Sequence, residues 1–312
     1  RGFAPRSRTS LNRKKHDMDT LLQILANGLM LGGLFAIVAI GLTLIFGIVN
    51  VINFAHGEFL MVGMYLSYLL TLGLGVHPYV TAVAVAPALF VLGALVQRFL
   101  IQQLLNARDG HVQIFATVGL STALMNLALL IFGADIANTP SYGVRSQVQL
   151  GPVRILEGQL WVFGAAIALV IALQLFMKQT TTGRAIRATA QNRAAARLMG
   201  INDKFIYILS FGLGAACVGL GSALVAPLYP TSPTIGTYFV LIAFVCVVLG
   251  GLGSIPGAFF GALIIGLVDA LSGFYIGSDL REAVVFGIFL LILILRPSGL
   301  FGTKLNLSHV SP

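Results

Sequence analysis

Nine apolar runs, at 21–48, 59–72, 79–96, 112–132, 160–177, 205–228, 238–249, 255–271 and 283–295, set the narrowest limit on what this chain can fold into. Most suit a helix crossing a hydrocarbon layer of about 30 Å at about 1.5 Å per residue. Hydrophobic residues make up 57% of the chain and charged residues only 9%. A soluble domain carries about 25% charged residues to cover its surface. Bilayer therefore surrounds most of the outside, and a backbone in lipid must satisfy its own hydrogen bonds, so the runs read as helices. The expectation is an all-α membrane protein, a polytopic helical bundle of eight or nine transmembrane helices. Two short runs, 59–72 and 238–249, read as broken or re-entrant half-helices.

Charge orients the array. If 178–204 is cytoplasmic, 98–111 and the tail after Arg296 fall on the same side. These regions hold ten of the thirteen basic residues after Met18: Arg98, Arg108, Lys178, Arg184, Arg187, Arg193, Arg197, Lys204, Arg296 and Lys304. The opposite connections hold Asp135, Glu157, Asp279 and Glu282 with Arg145, Arg154 and Arg281. Such an excess marks the cytoplasmic side. The count leaves the N-terminus external and the C-terminus cytoplasmic. Residues 1–17, with six basic side chains and one acid, conflict with that and read as an appended or disordered leader before a start at Met18. Residues 18–304 then form a single transmembrane domain, with a cytoplasmic loop at 178–204 and an external loop at 133–158 suited to docking. A tail, 305–312, ends the chain.

Several function classes drop out. The basic residues form no single face, so nucleic acid is excluded despite a pI near 9.9. Cys217 and Cys246 sit in apolar runs as small buried side chains, and no spacing suits a metal. With no nucleophile–base pair and no cofactor motif, no catalytic residue is expected.

Two polar stretches carry the functional signal. The first, Asn50-Val51-Ile52-Asn53-Phe54-Ala55-His56-Gly57-Glu58, interrupts membrane-length apolar sequence. A carboxylate at the centre of a spanning helix costs roughly 2.5–3.5 kcal/mol on insertion scales, so Glu58 needs partners or water. The stretch reads as a helix break near a transport path. Asn50 and Asn53 suit backbone groups freed at the break, and His56 is placed to join Asn53 and Glu58 in a local hydrogen-bond network. Glu58 stays open between a tie across helices, a path-lining group and a proton-coupling group. Asp269 suits an interhelical hydrogen bond. Gly250, Gly251 and Gly253 suit a turn needing positive φ and close approach, and path lining stays open for them. Gly28-x-x-x-Gly32, Ala215-x-x-x-Gly219 and Gly257-x-x-x-Gly261 fit close helix packing in lipid.

The second stretch, 183–200, is Ala-rich with a Gly at each end. Ile186, Ala190, Ala194 and Leu198 recur every four residues as one apolar stripe, flanked by Arg184, Arg187, Arg193 and Arg197 with no acid before Asp203. The stripe is mostly Ala and lacks an aromatic, so it suits a groove on a cytosolic partner better than a lipid surface.

The run Gly41-Leu42-Thr43-Leu44-Ile45-Phe46-Gly47-Ile48-Val49-Asn50, followed by Ile52-Asn53-Phe54-Ala55-His56-Gly57-Glu58, resembles the signature of permease subunits of branched-chain amino-acid ABC importers, of the shorter LivH type. Stretches 183–200, 250–257 and 296–300 are similar to that family as well, and the resemblance covers nearly everything from Met18 to Gly302. It implies that Arg184, Arg187, Ala190, Arg193, Arg197, Leu198 and Gly200 belong to a coupling helix seated in an ATPase subunit. It implies two such ABC ATPase subunits carrying ATP and Mg, a second permease (a longer homologue), a soluble substrate-binding protein, and the bacterial inner membrane. No cofactor is expected on this chain, which has no Gly-x-x-x-x-Gly-Lys-Ser/Thr phosphate loop. Leucine, isoleucine and valine are the implied cargo, with urea, short amides or aromatic acids as alternatives within the family. A carrier of another class, coupled to protons through Glu58 and Asp269, is the competing reading.

Overall fold

The computed structural model describes residues 7–105 and 111–301. Arg108, Lys304, the expected tail and the first residues of the expected leader lie outside the described residues. Helix α1 (Ser7–Val49) is followed by α2 (His56–Leu74) and α3 (Ala82–Val96). Helix α3 continues through a π turn, Gln97–Ile101, into the single turn α4 (Gln102–Leu104). Then come α5 (His111–Phe132), a hairpin of β1 (Gln147–Leu150) and β2 (Val153–Leu156), and α6 (Glu157–Gln179). The short helices α7 (Thr181–Gln191) and α8 (Arg193–Leu198) precede α9 (Asp203–Val225), α10 (Ile235–Gly250), α11 (Ile255–Tyr275) and α12 (Arg281–Leu295).

Each apolar run has become a helix. Among the described residues, seven helices are long and apolar enough to cross a membrane, and α10 and α12, of 16 and 15 residues, add two shorter ones. Two details differ from the sequence reading. The backbone of α1 is already helical from Ser7, within the expected leader. Helix α2 has 19 residues, about 28 Å, and is no half-helix. Helix α10, about 24 Å long, does fall short of the hydrocarbon thickness.

Helix α1 is the hub. From Gly33 to Ile45 every residue is buried, as expected of a helix that is apolar all round. In lipid no hydrophobic drive pushes helices together, so close backbone contact must hold them. The three small-residue motifs supply it. A Cβ at Gly28 or Gly32 would meet the α11 backbone at Leu267 or Leu263, and one at Gly266 would strike the Gly28 carbonyl and the Gly32 amide. Ala215 and Gly219 of α9 pack on Gly93 and Ala86 of α3, while Gly257 and Gly261 of α11 pack on Gly250 and the Cys246 carbonyl of α10.

The two ends of the bundle differ. At one end lie the last turn of α1, the α10–α11 turn and α7, since Gly47, Gly253, Ile186 and Arg187 line one cleft of about 360 Å³. With them lie Lys178, Lys204 and Arg296, so this is the basic end. At the other end the β1–β2 hairpin pairs with α1 at Gln23: Gln23 Nε2 donates to the Arg154 carbonyl and Arg154 N donates to Gln23 Oε1, both at 2.7 Å. The α9–α10 connection joins this end, where Arg145 Nε donates to the Pro227 carbonyl at 3.0 Å. The expected external loop 133–158 therefore contains a small antiparallel sheet.

Gly266→Val should lower the thermal midpoint of the detergent-solubilised protein by several degrees, because the crowding is against backbone and overpacking costs about 1–3 kcal/mol. Gly164→Val, where a Cβ meets nothing within 4 Å, should melt like the parent. Equal midpoints for the two variants would mean that the α1–α11 contact does not stabilise the bundle.

Candidate functional site

Helix α1 ends at Asn50, which takes the left-handed conformation with φ 55° and donates its amide to the Phe46 carbonyl at 2.9 Å. Asparagine tolerates this conformation better than other non-glycine residues. The chain then turns back along α1. His56, first residue of α2, is buried and donates from Nε2 to the Val38 carbonyl at 3.1 Å. Its ring also lies against Gly41. Val38 and Gly41 sit roughly 12–16 Å along α1 from Val49, so α2 starts deep inside the bundle.

The returning segment satisfies itself in part. Asn53 Oδ1 accepts from the Ala55 amide at 3.1 Å and the Asn53 carbonyl accepts from His56 N at 3.3 Å. The Thr117 hydroxyl of α5 donates to the Ile52 carbonyl at 3.2 Å. The network expected among Asn53, His56 and Glu58 does not form. Residues two apart on a helix point to different sides, so His56 turns to α1 while Glu58 turns to α5.

Glu58 is 1% exposed. Its Oε1 accepts from the Ser121 hydroxyl at 3.2 Å, and its Oε2 has no partner. Gly57 packs directly on the Gly236 carbonyl, and Gly236 in turn backs onto the Glu58 carboxylate. Gly236 is in the first turn of α10, so the N-termini of α2 and α10 meet around Glu58. Both helix dipoles favour negative charge there. Sequence alone pointed to Glu58 and Gly57 but missed Ser121 and Gly236, which carry no polar-in-apolar signal of that kind.

Gly250, Gly251 and Gly253 form the α10–α11 turn at the basic end. Gly251 and Gly253 have φ 103° and 81°, as the sequence requires, and Gly250 leaves room for the Gly257 carbonyl. Gly253 packs on Gly47. The chain after α12 braces this turn: the amides of Leu300 and Phe301 donate to the carbonyls of Leu249 and Gly250 at 2.8 and 3.1 Å. The turn thus lies beside the end of α1, apart from Glu58.

The arginine segment is two helices, which corrects the single stripe. Asn192 is extended and its Oδ1 accepts from the Ala195 amide at 3.0 Å, capping α8; a side chain that caps a new helix breaks the old one. Gly183, Ile186 and Thr189 are buried, Ala190 is half-buried, and Leu198, Met199 and Gly200 are exposed. Leu198 is 89% exposed and Met199 83%. The arginines divide as well. Arg193 Nε and Arg197 Nη2 both reach Asp203 Oδ2, at 2.7 and 2.6 Å, and Arg193 lies over the Tyr207 ring. The hydrogen bond to Asp203 raises the Arg197 pKa above its ordinary value. Arg184 and Arg187 are exposed, Arg187 at the mouth of the cleft beside the end of α1, and neither has an ion pair among the described residues.

Asp269 makes the interhelical contact with Arg281 of α12, Nε to Oδ1 at 2.8 Å, in a cleft of about 920 Å³ at the hairpin end. Among the described residues no cluster suits a metal ion.

Nine apolar helices among the described residues, a buried polar return at mid-depth and an exposed basic helix pair at one end define a multi-pass membrane permease. Residues 24–294 match the family described as the permease component of branched-chain amino acid transport systems, and the chain belongs to that family. It is a transport component rather than an enzyme. It is 33% identical over 296 residues to the high-affinity branched-chain amino acid transport system permease protein BraD of Pseudomonas aeruginosa, covering 90% of this chain and 95% of that one. Identity to LivH of Escherichia coli K12 is also 33%, with the same coverage. The ribose import permease protein RbsC of Escherichia coli matches over 117 residues, 35% of this chain and 36% of that one, at 36% identity. Among solved structures, PsaBC from Streptococcus pneumoniae in complex with Fab shares the fold, with a TM-score of 0.50 and 13% identity over 88% of this chain and 92% of that one.

Asp203→Ala should free Arg193 and Arg197 and let α8 open. Limited trypsin digestion of the detergent-solubilised protein should then cut at these two residues several-fold faster than in the parent, with cleavage at Arg184 and Arg187 unchanged. Unchanged cutting at all four would mean that Asp203 does not hold α8.

Proposed function

We propose that this chain is the translocating subunit of an ATP-driven importer in a bacterial inner membrane, with leucine, isoleucine and valine as cargo. Two ATPase subunits bind ATP and Mg, a soluble binding protein delivers the solute, and a second, longer permease completes the membrane portion. The basic end faces the cytoplasm, in line with the excess of Lys and Arg there, so the opposite end of α1 and the hairpin face outward. The high-affinity branched-chain permeases BraD and LivH, matched over nearly their whole length, support the cargo.

The observation that carries the coupling role is the shape of α7 and α8. Ile186 and Thr189 root α7 in the bundle, and Asp203 ties α8 to α9. Arg184, Arg187, Leu198 and Met199 are left exposed on a braced support. Apolar side chains standing out among cations at a membrane surface suit a groove on a partner, where such anchors dominate binding. Movement of that partner would pass through α7 to the end of α1 and the glycine turn, which share its cleft. The proton-coupled alternative needs Asp269 free, whereas Arg281 holds it.

Replacing Arg184 and Arg187 by Glu should abolish ATP-driven leucine uptake in vesicles carrying the full complex, while the chain still inserts. Retained uptake in that double variant would refute docking through α7.

A further inference from the structure

We propose that the cleft at the hairpin end binds a small zwitterion, with its primary ammonium on Asp269 and its oxyanion on Arg154 and Arg281. Free amino acids and aminophospholipid headgroups share that chemistry. The site contains no residue of the helix break or of the arginine helices, and it does not depend on the transport reading.

The cleft, of about 920 Å³, lies between α1, the β1–β2 hairpin, α11 and the start of α12. Asp269 borders it and is 2% exposed. Arg281 Nε donates to its Oδ1 at 2.8 Å, while Oδ2 is buried with no partner among the described residues. A buried ion pair is stabilising only when its remaining lone pairs also find donors. The Gln23 amide, which lines the same cleft, is already committed: it donates to the Arg154 carbonyl at 2.7 Å and to Asn27 Oδ1 at 3.0 Å.

The cationic side of the cleft is open as well. Arg154 is exposed and meets Gln23 through its backbone alone, and its guanidinium has no ion pair among the described residues. Of the five N–H groups of Arg281, Nε faces Asp269 and Nη2 lies 3.5 Å from the Tyr238 hydroxyl, so others remain for an anion. Two guanidinium groups and one carboxylate line the cleft. An ammonium alone would face net positive charge, and an anion alone would leave Oδ2 bare. A molecule carrying both charges satisfies both sides. Ile24, Leu31 and Phe274 line the same space and suit an aliphatic side chain or the first carbons of an acyl glycerol. Phe274 and Tyr275 stand exposed at the end of α11, as aromatic side chains do at headgroup level.

Isothermal titration calorimetry on the full chain in an uncharged maltoside detergent tests this with L-leucine and with dihexanoyl phosphatidylethanolamine. Saturable binding of either supports the site and tells which source fills it. Dihexanoyl phosphatidylcholine has no N–H on its nitrogen and should bind at least about tenfold more weakly than the ethanolamine lipid, the loss of one charge-assisted hydrogen bond. Asp269→Asn should weaken the bound ligand by a similar factor. Arg154→Gln, at an exposed position, takes its place if Asp269→Asn does not fold. The proposal is overturned if neither titrant saturates, if the choline lipid binds as tightly as the ethanolamine one, or if the folded variant binds like the parent. The titrations read no ATP-driven uptake, so the importer reading stands or falls separately.

Discussion

The structure turns on one constraint: backbone that leaves the helix at membrane depth must find its hydrogen bonds inside the protein. The return from Asn50 to Ala55 meets it with the Asn53 side chain, the Asn53 carbonyl and the Thr117 hydroxyl of α5. Because this return is tolerated, α2 can start beside the middle of α1. Its N-terminus then meets that of α10, and a carboxylate can sit between them in spite of its burial.

Close approach of backbones is what makes that meeting geometrically possible. Gly57 against Gly236 brings two helix N-termini into contact, and Gly28, Gly32 and Gly266 do the same for α1 and α11. In a medium as apolar as the side chains themselves, such contacts replace the hydrophobic drive that would hold a soluble core. They draw the central helices together, whereas α5 and α12 bury few residues.

The basic end shows a division of labour among like residues. Two arginines of the 183–200 stretch pair with Asp203 and fix α8, and two others stay exposed on α7. The Asn192 break separates the two pairs, because its side chain starts α8 afresh. The C-terminal segment after α12, by capping Leu249 and Gly250, ties the same end to α10.

How much of this could be read from the residues depends on the range of the forces. Helix number, the position of the break, the positive-φ glycines and the polarity of the two ends are local or periodic properties. A run of apolar residues, an Asn at a helix end or an Arg-rich gap declares them without reference to anything distant. The partners of Glu58 and Asp269 and the pairing of arginines with Asp203 were hidden. Each depends on which helix lies opposite. Ser121 and Arg281 look ordinary until α5 and α12 are placed beside α2 and α11. Sequence by itself determined that the chain crosses the membrane and where it is interrupted. Only the tertiary structure decided which polar groups meet, because a hydrogen bond requires two atoms within about 3 Å and sequence distance says nothing about that.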